Sequence, residues 1–248
     1  MRLMFTVIGF LIAALTTTAF ADMPKKIKIA TEGAYPPFNF KSADGKLGGF
    51  DVEIASALCA QMKIECEIVA QDWDGIIPGL VKKKYDAIIA SMSITDERKK
   101  SVDFTGRYYS NHLRILAKKG SGIKGAGDLD GKAVGAQRST VASKWLEDNL
   151  AKKVKVKLYD TQTAAYSDLE AGRLTAIVSD VYPAYDWLQK QKDYEFVGEK
   201  IEINDLIGIA VRKGSDELKA AFDTAIKALR ESGEYKKIND KYFPFDIY

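Results

Sequence analysis

Histidine is almost missing from this chain: His112 is the single example in 248 residues, and cysteine occurs twice, at Cys59 and Cys66. A lone histidine and two cysteines seven positions apart match neither the ligand number nor the spacing of a metal site. His112 reads as a surface or partly buried structural residue, and neither a metal nor a cofactor is expected. The sequence holds no recognisable nucleophile–base pair and no phosphate-binding glycine loop, which leaves little for an enzyme to work with. Charge of one sign is also lacking. Lys and Arg number 37 against 34 Asp and Glu, for a net charge of +3. With no basic stripe and no interleaved aromatics, nucleic acid is not an expected partner. There is no low-complexity tract and no internal repeat. Beyond the first 21 residues no run is apolar and long enough to cross a bilayer.

That first segment is the exception. Arg2 precedes an uncharged, largely apolar stretch from Leu3 to Ala21, which ends in Ala19-Phe20-Ala21. A basic start, an apolar middle and small residues at a cleavage point are the parts of a secretory signal peptide. The threonines Thr16 to Thr18 and the cleavage site argue against a permanent anchor, and no cysteine follows the site to carry a lipid. Residues 1–21 are therefore expected to be removed. What remains is long enough for one large domain or two of about 100 residues. Cys59 and Cys66 would be free buried thiols in a cytosolic protein, whereas export favours a disulfide between them.

Short apolar strands alternate with amphipathic helices along almost the whole chain. Ile27 to Ala30, Cys66 to Val69, Asp86 to Ala90, Lys132 to Ala136, Lys155 to Tyr159, Thr175 to Val178 and Ile207 to Val211 read as strands. Helices are expected from about Asp51, over Trp73 to Val81, Val141 to Leu150 and Ala164 to Ala171, and around Tyr182 and Trp187. Two more close the chain, Asp216 to Glu231 and about Tyr235 to Tyr242, with Ser232-Gly233 between them. Their apolar residues recur at helical spacing, as Ile54, Leu58 and Met62 do. The pattern is α/β, with mainly parallel sheets.

Between Gly106 and Gly127 the alternation breaks. An extended Leu113 to Ala117 leads into a Gly/Ser/Lys loop, which suggests a crossing from one domain to another. Polar and aromatic residues gather at the carboxyl ends of strands: Glu32 and Tyr35, Ser91 to Arg98, Gln137 to Thr140, and Asp180. Open α/β sheets bind ligands at such ends. Taken singly, each of these residues also fits a cap or a turn.

Two stretches carry a family resemblance. One is Thr31-Glu32-Gly33-Ala34-Tyr35-Pro36-Pro37-Phe38 followed by Gly49-Phe50-Asp51. The other runs from Tyr85-Asp86-Ala87-Ile88-Ile89 through Ser91-Met92-Ser93-Ile94-Thr95-Asp96-Glu97-Arg98. Tyr166 to Arg173 and the ending Tyr242-Phe243-Pro244-Phe245 extend the match. The chain resembles the family 3 solute-binding proteins of polar amino-acid ABC transporters, within them the lysine/arginine/ornithine, arginine and histidine binders. The resemblance implies a two-lobed periplasmic-binding-protein type II fold. Each lobe would be a mixed sheet flanked by helices, and a two-stranded hinge would join them. Residues 22–111 and 201–248 would form lobe one, and 112–200 lobe two. It also implies a periplasmic location, a membrane permease as partner and a monomeric state, and it places a disulfide at Cys59 and Cys66.

By the same resemblance Arg98 takes the ligand carboxylate with its planar, two-pronged guanidinium, helped by Ser93 and Thr140, and Ser139 is a further expected ligand-binding residue. Asp180 takes the α-ammonium, and Ser91 shares that ion or the carboxylate. Tyr35 and Trp73 sandwich the aliphatic or guanidinium part of the ligand by packing and cation–π contact. Glu32 stands where relatives often carry an aspartate that pairs with the cationic end of lysine or arginine, so a cationic amino acid is expected. Three residues depart from the lysine-type pattern. Ala90 replaces a serine and Val141 a frequent glutamine, removing hydrogen-bonding groups, while Arg138 replaces a frequent glycine. An inward Arg138 could hold a second carboxylate, as in an opine; outward, it is a solvated loop charge. An opine, glutamine or cystine binder is thus the alternative ligand reading, and a cyclohexadienyl dehydratase-like enzyme the distant one.

Overall fold

The computed structural model describes residues 24–248, so the expected signal peptide lies outside the described residues. The chain opens with β1 (Lys26–Thr31) and the short strands β2 (Ala34–Tyr35), β3 (Asn39–Lys41) and β4 (Leu47–Gly48). Then come α1 (Phe50–Met62), β5 (Glu65–Ala70), α2 (Trp73–Val81), β6 (Ala87–Ile88) and the single-turn α3 (Asp96–Lys99). A long strand, β7 (Val102–Lys118), leads to β8 (Ala133–Gln137), α4 (Val141–Leu150), β9 (Lys155–Tyr159), α5 (Gln162–Glu170), β10 (Ala176–Asp180) and α6 (Val181–Lys190). A second long strand, β11 (Tyr194–Arg212), returns to α7 (Asp216–Glu231) and α8 (Glu234–Tyr242).

Eight strands form one sheet in the order β5-β1-β6-β11-β7-β10-β8-β9, and β2, β3 and β4 form a small antiparallel sheet. The main sheet is mixed, as the resemblance implies, with parallel ladders at both sides. β1 runs parallel to β5 and β6, and β8 to β9 and β10. The centre is antiparallel, through β11 with β6 and β7, and β7 with β10. Between Gly106 and Gly127, where the alternation breaks, the chain continues as one strand to Lys118 and then enters a loop. β7 is paired with β11 over nearly its whole length, with several register shifts, and Asn111 stands opposite Asp205 midway. These two strands serve both lobes. The strand expected over Asp86 to Ala90 pairs as a ladder only at Ala87–Ile88.

Period-2 alternation divides the core between the two faces of the sheet. In lobe one Ile27, Ile29, Phe38, Phe50, Leu58 and Phe222 pack on one face, and Ile76, Leu80, Ile88 and Met92 on the other. In lobe two Ile115, Val134, Leu146 and Val178 oppose Leu116, Tyr166, Leu169 and Ile177. The Gly49-Phe50-Asp51 motif has a steric reason. Gly49 lies at φ 114°, and a Cβ there would stand 2.4 Å from the carbonyl oxygen of Phe38.

Cys59 and Cys66 are joined in a disulfide that ties α1 to β5. The closed loop is short, so the chain-entropy gain is about 2–3 kcal/mol. Replacing both cysteines by alanine should lower the unfolding temperature by about 5–10 °C, as scanning calorimetry would show, without changing ligand affinity.

Candidate functional site

The carboxyl ends of β1, β6, β8 and β10 converge between the lobes, and a partly open space of about 280 Å³ lies there. Lobe one lines it with Glu32, Tyr35, Trp73, Ala90, Ser91, Ser93 and Arg98; lobe two adds Gln137, Thr140, Val141 and Asp180. Eight of the nine expected ligand-binding residues are thus brought together. The exception is Ser139. Its backbone is left-handed at φ 59°, and its hydroxyl points to the cleft mouth, donating to Asp74 Oδ1 at 2.9 Å.

Local sequence explains how each group is presented. Thr95 caps α3 by accepting the amide of Arg98 at 3.2 Å, which fixes the arginine on the first turn. The guanidinium lies 5.2 Å from the centre of the Trp73 ring. It donates to the carbonyls of Ser93 at 2.9 Å and Ser139 at 3.0 Å, two bonds for a group with five N–H donors. Thr140 caps α4, accepting from Ser143 N, and donates its own proton to the carbonyl of Gln137 at 2.7 Å. Asp180 occupies the N-cap position of α6, as the alternative reading had it, but its side chain makes no capping bond.

Besides the bonds that Ser139 makes with Arg98 and Asp74, two hydrogen bonds between side chains lining the cavity join the lobes. Tyr35 donates its phenol to Asp180 Oδ2 at 2.6 Å, and Gln137 donates Nε2 to Glu32 Oε1 at 2.8 Å. Asp180 Oδ1 is buried without a hydrogen-bond partner. A buried acceptor in that state costs on the order of 1–3 kcal/mol. Burial, reinforced by the nearby Asp205, pushes the Asp180 carboxyl well above the usual carboxylate range. Burial also pushes Glu32 up to about 7; the bond from Gln137 opposes this, while Asp72, Asp74 and Asp51 add to it. Arg98 loses hydration as well, which lowers its pKa, with Asp205 and Asp180 acting against the change.

Arg138 does not line this space. Its guanidinium sits at the mouth, 2.8 Å from Asp160 and 3.8 Å from Asp74, half exposed. Asp74 therefore receives Arg138 and Ser139 together from the opposite lobe. Gln137 lay among the polar strand ends in the sequence, yet nothing there set it apart as part of the site. An uncharged amide ending a strand carries little signal by itself.

Acid and base groups from two lobes, meeting in one cavity beyond the strand ends, define a binding protein that closes over a small charged ligand. The chain belongs to the bacterial extracellular solute-binding proteins, family 3, whose profile matches residues 27–245. It is 46% identical over 240 residues to the L-arginine-binding protein of Pseudomonas aeruginosa, covering 93% of this chain and 92% of that one. It is 40% identical over 249 residues to the lysine/arginine/ornithine-binding periplasmic protein of Escherichia coli, covering 96% of each. Among solved structures, an ancestral arginine-binding protein bound to arginine superposes with a TM-score of 0.84 and 37% identity, over 90% of this chain and all of that one.

Proposed function

We propose that this protein captures a cationic L-amino acid in the periplasm and presents it to the permease of an ABC importer. It does so as a monomer released from its signal peptide, residues 1–21. Lobe one is residues 22–111 and 201–248, and lobe two residues 112–200. The observation that carries the reading is the charge layout of one cavity: Arg98 and Glu32 from lobe one meet Asp180 from lobe two. An α-amino acid with a positive side chain presents one anionic and two cationic groups, and this cavity holds their complements. Arg98 pairs with the carboxylate, assisted by Ser93 and Thr140. Asp180 and Ser91 accept from the α-ammonium, Glu32 pairs with the distal cation, and Tyr35 and Trp73 pack against the chain between.

The ion pairs of Arg138 with Asp160 and Asp74 support the cationic reading over an opine, because that guanidinium already has its counter-charges. Outside Glu32 the mouth carries Asp72, Asp74 and Asp160 against the one charge of Arg138, and the net negative balance draws in cations. The curated relatives bear the names of amino-acid-binding proteins, which supports binding over catalysis.

The direct test is calorimetry of the purified protein with arginine, lysine, ornithine, histidine, glutamine, cystine and octopine. Cationic ligands should bind tightly and raise the unfolding temperature. Binding confined to neutral or acidic compounds would overturn the proposal.

The raised acids set a pH dependence. A cation needs Glu32 ionised, and in the empty cleft that carboxyl titrates at about 7. Affinity for arginine should be complete above that value and fall as pH drops through it, by up to about tenfold per unit for each acid involved. Asp180, raised in the same direction, adds to the loss. Binding near neutral pH should therefore release protons, seen as different heats in phosphate and Tris buffers. Constant affinity from pH 8 to pH 5 would contradict this assignment.

A further inference from the structure

Asp51 is fully buried in the first turn of α1 and does not line the ligand cavity. Burial pushes its carboxyl up to about 6, while three hydrogen-bond donors pull the other way. The positive end of α1 also favours the charged form. Oδ1 accepts from the Tyr108 phenol at 2.7 Å; Oδ2 accepts from Ser91 Oγ at 2.9 Å and Asn39 Nδ2 at 2.8 Å.

Each of these donors leads back to the cavity. Ser91 lies at φ 52°, a left-handed conformation that a residue other than glycine holds only when its surroundings enforce it. Its amide donates to Tyr108 Oη at 3.0 Å, so both its backbone and its side chain are tied to the same cluster. With its proton committed to Asp51, the Ser91 hydroxyl has only lone pairs left to offer a ligand. The other arm passes through Asn39, whose Oδ1 accepts the amide of Gly33 at 2.8 Å. Gly33 follows Glu32 directly and lies at φ 79°.

We infer that Asp51 is a positioning residue for both ends of the ligand: through Ser91 it presents an acceptor to the α-ammonium, and through Asn39 and Gly33 it places Glu32 against the distal cation. This rests on the proposed binding of a cationic amino acid. A buried carboxylate used only for packing has no need of a bond to Ser91, which lines the cavity, or of a link through Asn39 to Gly33, the neighbour of Glu32.

The test compares three ligands by calorimetry: arginine, 5-guanidinopentanoate (which lacks the α-ammonium) and citrulline (which lacks the distal charge). Wild type should prefer arginine to both. Ser91→Ala should shrink the preference over 5-guanidinopentanoate by about tenfold and leave the preference over citrulline unchanged, the loss of one charge-assisted hydrogen bond. Asn39→Ala should shrink the citrulline preference alone. Asp51→Asn should shrink both, and adding Ser91→Ala to it should produce no further loss in the first ratio, as expected for residues acting as one unit. If Asp51→Asn lowers the unfolding temperature while both ratios stay at wild-type values, the inference is overturned. Should that variant fail to fold, the single-arm variants decide: separate losses support it, while unchanged or parallel losses defeat it. A wild-type protein that ignores arginine defeats the proposed function instead.

Discussion

Arg98→Ala should reduce arginine affinity by at least about 100-fold while leaving the circular dichroism spectrum unchanged. Removing one partner of a desolvated charge pair costs about 2–5 kcal/mol, because the other ion is left buried alone. The ligand carboxylate would face the carbonyls of Ser93 and Ser139, which now accept from this arginine and would repel an anion. Arg98→Lys should recover part of the loss, since it restores charge without the planar fork. Every α-amino acid carries the carboxylate, so the loss should be equal for arginine, lysine and histidine. An affinity within about threefold of wild type by calorimetry would remove Arg98 from the site.

Glu32→Gln should have the opposite effects on binding and stability. The amide keeps the shape and can still accept from Gln137, but the counter-charge is gone. Affinity for arginine should fall by about 100-fold, at roughly 2–3 kcal/mol for a desolvated pair, while neutral ligands such as glutamine or citrulline should be spared. The empty protein should become more stable. Glu32 titrates at about 7 when folded against an ordinary value of 4.5. Its contribution to stability is therefore complete below about pH 4.5 and is lost as pH rises through 7. At pH 8 the wild type bears a buried, ionised carboxylate that the variant lacks, a difference on the order of 1–3 kcal/mol. An unfolding temperature several degrees above wild type at pH 8, with the gap closing at pH 5, would fit this reading; a variant less stable at both pH values would not.

A capping side chain does not by itself decide which helices are legible. α2, α4 and α7 run over their expected residues though only α4 of the three has a side-chain cap, while α5, capped by Thr161, starts two residues before its expected start. Thr140 marks the start of α4 by capping it, and Ser232-Gly233 separates α7 from α8. The two long strands were harder to read. Both Tyr108 and Tyr109 are buried in β7, which spoils strict alternation, and most of β11 before Ile207 is polar, exposed or half-buried. β2 to β4 are two or three residues long, too short to show a period. In the site, the charged residues gather at strand ends, but each taken singly also fits a cap or a turn, and it is the family resemblance that gives them roles. The hydroxyls were less legible: Ser139 is engaged with Asp74 and Thr140 with its helix, and residue type does not reveal such commitments. Asp51 looks in sequence like any acid in a first helical turn. Only folding reveals that it joins Asn39 and Ser91, respectively 12 and 40 positions away.

β7 and β11 belong to the sheets of both lobes, and this governs how the protein comes apart. Neither lobe can melt without stripping two central strands from the other. The empty protein should therefore unfold in one cooperative transition rather than two, with calorimetric and van't Hoff enthalpies in agreement. A ligand held between the lobes should move that transition as a whole.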